Sequence, residues 1–170
     1  MVSAIVYTSN SGYTKEYAML LGKEIGVPVY DLKKALKELP GCSEIIYLGW
    51  LMAGKIKGLK KALNNYEVRV ICGVGMGRNG SQIEDIRKRN IILEGLPLFT
   101  LQGGFDFSKV HGLNKFLMKM MYKFVSKKLK SQDTITDEEQ EMLDMMEKGG
   151  SFVSIENLQE VLNYLKKIKK

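Results

Sequence analysis

Apolar and polar positions alternate along the chain in two rhythms. Short, nearly unbroken apolar runs at Ala4 to Tyr7, Val27 to Tyr30, Glu44 to Gly49, Val68 to Val74 and Pro97 to Gln102 are rich in Val, Ile, Leu and aromatic residues, the composition of strands. Their near-continuity predicts strands covered on both faces, as in a parallel sheet. Helical spacing fills the intervals, at Thr14 to Ile25, Lys33 to Leu39, Lys57 to Asn64, Ser81 to Asn90 and Ile155 to Ile168. Tyr17, Leu21 and Ile25 stand four apart, and Leu158, Leu162 and Leu165 four and three apart, so each set lines one side of a helix. Five strands alternating with five helices predict an α/β fold with a doubly wound five-stranded parallel sheet. At 170 residues, 45% of them hydrophobic, the chain suits one domain over 1–170.

The first strand runs straight into Thr8-Ser9-Asn10-Ser11-Gly12-Tyr13-Thr14, and a helix follows at once. Backbone N–H groups and a helix N-terminus then face one spot, where an anion is favoured. The hydroxyls of Thr8, Ser9, Ser11 and Thr14 add donors without fixed charge, and Gly12 allows positive φ or a close backbone approach. A helix cap needs one hydroxyl; a loop with four is a candidate phosphate cradle. The Walker spacing is absent, which argues against a nucleotide triphosphatase. In such a sheet a ligand binds beyond the carboxyl ends of the strands, where the winding reverses. After the third strand comes Gly49-Trp50-Leu51-Met52-Ala53-Gly54-Lys55, with the only tryptophan, and after the fourth Gly73-Val74-Gly75-Met76-Gly77-Arg78-Asn79-Gly80. Phosphate at one loop and an aromatic slot at two others suit a nucleotide-like ligand with a planar head. The last loop also fits the dinucleotide glycine pattern, but the next strand ends in Gln102 rather than an acid, against a nicotinamide site.

On Thr8 to Thr14 and over essentially its whole length, the chain resembles flavodoxins and their relatives. The resemblance implies sheet order 2-1-3-4-5 and flavin mononucleotide (FMN) as cofactor, with Thr8 to Thr14 on the ribityl phosphate. It places Trp50 and its neighbours Leu51, Met52, Ala53 and Gly54 on one face of the isoalloxazine, and Gly75, Met76, Gly77 and Arg78 along the other side. The flavin then performs the electron and hydride chemistry.

Between the fifth strand and the last helix lies an insertion, Gly103 to Gly150, about 105–150 of which is read as helical. Its first half is lysine-rich and its second acidic. Leu113, Phe116, Leu117, Met120, Met121, Phe124, Val125 and Leu129 follow helical spacing, a basic amphipathic helix. That stripe suits its own domain, a second copy in a homodimer, or peripheral contact with an anionic membrane through Leu113 to Leu129. Gln102-Gly103-Gly104-Phe105-Asp106-Phe107, the Leu113 to Met121 helix and Ser151-Phe152-Val153-Ser154 resemble the flavodoxin branch that contains the quinone-linked (menaquinone-dependent) protoporphyrinogen oxidase. That likeness implies oxidation of a porphyrinogen with a membrane quinone receiving the electrons.

Cys42 and Cys72 have no metal-type spacing, and Cys72 reads as a core residue. His111 is the only histidine and has no evident partner, while Asp106 suits a cap or a substrate contact. With no acid–base pair in view, the flavin is the expected reactive group. The charge of +7 fits an anionic partner or a membrane surface, and no nucleic-acid motif accompanies it. A cytoplasmic flavoprotein, with or without peripheral membrane contact, is expected, either an oxidoreductase acting on a small molecule or quinone, or an electron carrier docking on redox partner proteins. The basic charge favours the enzyme.

Overall fold

Side chains of alternate strand residues enter two separate cores, one on each face of a central sheet. The computed structural model describes residues 2–106 and 148–168 and, between them, Met120, Ser126, Thr136, Asp137, Gln140, Glu141 and Asp144. Strand β1 (Ala4–Thr8) leads into α1 (Tyr13–Ile25), and β2 (Val29–Asp31) into α2 (Leu32–Glu38). Next, β3 (Glu44–Met52) turns back as a short β4 (Lys55–Ile56) before α3 (Leu59–Asn65). Then come β5 (Glu67–Gly75), α4 (Ile83–Asn90) and β6 (Leu98–Gln102). A two-stranded ribbon of β7 (Gly104–Phe105) and β8 (Gly150–Ser151) follows, and a 3-10 turn at Glu156–Leu158 opens α5 (Gln159–Ile168).

The main sheet runs β2-β1-β3-β5-β6, all parallel, with β4 antiparallel to β3. Ala4, Val6, Ile45 and Tyr47 pack under α2, α3 and α4; Ile5, Ile46 and Leu48 pack under α1 and α5. Val68 and Val70, two apart, nevertheless enter opposite cores. The reason is a register shift in which Ile45 faces Val68 but Ile46 faces Val70, leaving Arg69 as an extra residue. Arg69 reaches the solvent side and binds Glu44 at 2.6 Å and Glu67 at 2.9 Å.

The expected loop after the third strand is a hairpin instead. Leu51 pairs with Ile56 and Met52 with Lys55. The two residues between them, Ala53 (φ 49°) and Gly54 (φ 74°), both take positive φ, the backbone that a tight hairpin needs. Asn90 fastens it: its side chain donates to Gly54 O and Ile86 O, both at 2.7 Å, and accepts Ile56 N at 2.9 Å. Lys55 Nζ also donates to the carbonyl of Arg89. No helix among the described residues is long and apolar enough to cross a membrane. His111 and most of the stripe from Leu113 to Leu129 lie outside the described residues.

Cys72 is fully buried, as its apolar surroundings predict, and burial pushes its thiol up to about 12; Cys42 is exposed. A thiol reagent should therefore label Cys42 promptly in the native chain and Cys72 only at the rate of unfolding. Prompt labelling of both in Ellman's assay without denaturant would contradict this packing.

Candidate functional site

Strand β1 lies between β2 and β3, so the winding reverses beside it and a crevice opens beyond the carboxyl ends of β1 and β3. The loop leaving β1 fills one side of that crevice. Gly12 caps α1 in the left-handed conformation, φ 101°, with no side-chain cap bond, and its own N–H donates to Ser9 Oγ at 3.2 Å. Ser9 thus closes the loop upon itself. Residues Ser9, Asn10, Ser11 and Gly12 are half-buried at the rim, while Tyr13 and Thr14 are buried in the first helical turn. Helix α1 therefore presents its N-terminal amides without a capping hydroxyl. Glu16 sits in the same turn, its Oε1 3.8 Å from where a Cβ of Gly12 would stand, so one carboxylate already faces this positive end.

Thr8 is turned inward. Tyr47 Oη lies 2.6 Å from the carbonyl of Lys57 and 2.8 Å from Thr8 Oγ1. A carbonyl only accepts, so the phenol proton goes to Lys57 O and the Thr8 hydroxyl donates to the phenol oxygen. Gly58 makes room for this knot: at φ +80°, an added Cβ would fall 2.1 Å from Tyr47 Oη and 2.5 Å from Thr8 Oγ1. Burial raises the Tyr47 phenol well above its ordinary value, with the hydrogen bond from Thr8 opposing the shift.

Trp50 is part of β3, opposite Val74 of β5, and half-buried. Lys57 returns to it twice, donating its backbone N–H to Trp50 O at 3.0 Å and holding its ammonium 5.7 Å from the indole centroid. Leu51 turns to the other face, against the core under α2, α3 and α4. Met52 closes the hairpin opposite Lys55, and the Ala53–Gly54 turn is fastened to α4. Of the second expected loop, Gly49 pairs with Thr8, and Trp50 follows it on β3.

Gly75, the last residue of β5, and Met76 and Gly77 after it are half-buried. Arg78 is engaged by Glu141 through two bonds, Nε at 3.0 Å and Nη2 at 2.6 Å, and the guanidinium holds the Glu141 carboxyl below its usual value. Beside them lies a cavity of about 560 Å³ whose lining includes Lys148, Asp144 and Phe152. Asn79 secures the loop. It donates to Asn157 O at 3.1 Å and Oδ1 at 3.0 Å, and accepts the N–H of Gln102 at 2.6 Å. Asn157 in turn donates to Phe152 O at 2.6 Å and Tyr17 Oη at 3.2 Å, while Tyr17 donates to Gln102 O at 2.5 Å. The sequence showed Tyr17 only as one member of an apolar stripe; a phenol at a buried helix position signals a polar partner.

Comparison of the chain with protein-family models, curated proteins and solved structures finds no match. Among the described residues no three His, Cys, Asp or Glu side chains converge as a metal site. The groups gathered around the first turn are hydroxyls and backbone amides, an α1 end with no side-chain cap, the Glu16 carboxylate, and Trp50 with the Lys57 ammonium beside it.

Gly58→Ala is expected to cost about 2–4 kcal/mol, since it adds both overlap and left-handed strain. The urea midpoint should fall with unchanged slope; a midpoint equal to that of the natural chain contradicts the knot. Because the native chain keeps the Tyr47 proton above the ordinary phenol value of 10.0, stability is complete below that pH and declines as pH rises above it. Tyr47→Phe should make that alkaline decline shallower, as read from urea midpoints at pH 9 to 11.

Proposed function

We propose that this chain is a flavodoxin-like protein that binds FMN and works as an oxidoreductase. One observation carries the reading: the loop Ser9 to Gly12, with the hydroxyls of Ser9 and Ser11, leads from β1 into an α1 N-terminus that has no side-chain cap, beside the strand where the winding reverses. Counted without the short β4, the parallel strands run 2-1-3-4-5, the order in which FMN occupies such a switch point. Ser9, Asn10, Ser11 and Gly12, with the amides of Tyr13 and Thr14, would hold the phosphate, and the inward-turned Thr8 would brace the loop. Trp50 would face the ring from one side and Gly75, Met76 and Gly77 from the other. Bound FMN supplies one- and two-electron redox chemistry; the chain binds, orients and screens the ring.

Two resemblances extend the reading to partners. Likeness to the quinone-linked protoporphyrinogen oxidase branch supports a porphyrinogen or quinone as the exchanging molecule, and likeness to flavodoxins supports a carrier role between redox proteins. The net charge of +7 favours the enzyme, working in the cytoplasm or at a membrane surface. Reoxidation of the reduced flavoprotein by a menaquinone analogue, rather than only by a partner protein, distinguishes the two.

Fluorescence titration tests the cofactor. The chain should bind one FMN and discriminate against riboflavin by on the order of 100-fold, since only FMN carries the phosphate. Ser11→Glu should abolish that preference by placing a carboxylate in the cradle, leaving riboflavin binding unchanged. Equal affinity for FMN and riboflavin in the natural chain, or no binding of FMN, would overturn the proposal.

A further inference from the structure

Among the described helices, basic charge is gathered on one side of the sheet. On the side of the sheet covered by α2, α3 and α4, helix α2 carries Lys33, Lys34 and Lys37 against one acid, Glu38. Helix α3 begins with the same five residues as α2, Leu-Lys-Lys-Ala-Leu, and carries Lys60 and Lys61 with no acid. Helix α4 opens with Glu84 and Asp85 and closes with Arg87, Lys88 and Arg89. These three helices hold eight basic residues and three acidic ones. On the opposite side, α1, the 3-10 turn and α5 are balanced, four basic against four acidic.

Packing dictates the outward aim of the lysines. Leu32 with Ala35, and Leu59 with Ala62, are buried three residues apart, so the lysine pair between each set must face solvent. Two exposed ion pairs, Lys34 with Glu38 at 3.6 Å and Arg89 with Asp85 at 2.7 Å, neutralise little of this field.

Large aliphatic side chains stand out on the same side. Ile92 is buried in the core under α2, α3 and α4, but its neighbours Ile91 and Leu93 are 86% and 77% exposed. The loop that presents them is held in shape. Ile91 N donates to Lys88 O at 3.2 Å, Leu96 N to Leu93 O at 3.0 Å, and Arg87 Nη1 to the carbonyls of Leu93 and Leu96 at 2.6 and 3.1 Å. Ile91 has φ 54°, a left-handed backbone that a β-branched residue adopts only when its surroundings impose it. Leu63 on α3 is exposed as well, and so is one acid, Glu94.

We infer that this side of the molecule docks on an anionic lipid bilayer, with the lysines at headgroup phosphates and Ile91 and Leu93 entering the boundary of the acyl chains. A bilayer accepts separate aliphatic side chains without a matching shape. A protein partner would need a continuous packed patch of roughly 800 Å² with aromatic anchors. Single-stranded nucleic acid would need rings for base stacking, and the exposed bulky residues here are aliphatic. The inference is independent of the segment from Leu113 to Leu129 and of the FMN reading.

Vesicle co-sedimentation with the full chain tests it, comparing neutral phosphatidylcholine vesicles with vesicles containing phosphatidylglycerol. The natural chain should bind only the anionic vesicles. A variant with Lys33→Glu, Lys60→Glu and Lys61→Glu should bind at least about tenfold more weakly. A control with Lys15→Glu, Lys23→Glu and Lys166→Glu, equal in charge change but on the balanced side, should stay within about twofold. Ile91→Ser with Leu93→Ser should remove the binding that persists at raised salt, while thermal melts confirm that each variant folds. Equal losses in the two lysine variants, no vesicle binding by the natural chain, or tighter binding to an acidic protein or an oligonucleotide than to vesicles would each overturn it.

Discussion

The crevice depends on one buried hydrogen-bonded knot. Tyr47 sends its proton to the carbonyl of Lys57 and receives one from Thr8, so a single phenol joins the end of β1, the middle of β3 and the approach to α3. Those are the segments that meet where the strand winding reverses. Because the phenol is shut away from water, loss of either partner would leave a buried polar atom unsatisfied, and the surrounding chain is held to one arrangement. Gly58 belongs to the same constraint, since any side chain there would occupy the position of the two hydroxyls.

From that knot the loop of residues 9–12 leaves with little freedom. Ser9 accepts the amide of Gly12, the left-handed Gly12 aims the chain into α1, and Tyr13 and Thr14 bury themselves at once. On the far side, Tyr17, Asn157 and Asn79 tie the loop after β5 to the end of β6 and to residues 152–157. Two polar networks thus brace the rim of the crevice, and α1 contributes Tyr17 to the second. Lys57, which touches both Tyr47 and Trp50, links the knot to the tryptophan.

Much of this was legible in the residues alone. Five parallel strands and their covering helices follow from apolar runs buried on both faces and from three- and four-residue spacing, and the turn from β1 into α1 from a polar stretch with a glycine ahead of a helical pattern. The β3–β4 hairpin was not, because Ala53 takes the positive φ that Asn or Asp usually signals. Nor was the inward turn of Thr8, whose partner is 39 residues away. The Asn79–Asn157–Tyr17 network joins residues up to 140 apart, and no local pattern marks such pairings. The location of the charge was hidden for a related reason: a net figure becomes a surface only once each helix is assigned to a face.

The proposed FMN site requires the first strand–helix turn to hold a phosphate with neutral donors. Phosphorus NMR of FMN added to the chain reads that contact directly. Binding as proposed would give a shifted resonance that stays that of the dianion from pH 8 to pH 5, because a helix N-terminus favours the doubly charged form over the free group, which protonates near pH 6. A resonance that titrates like free FMN would contradict it.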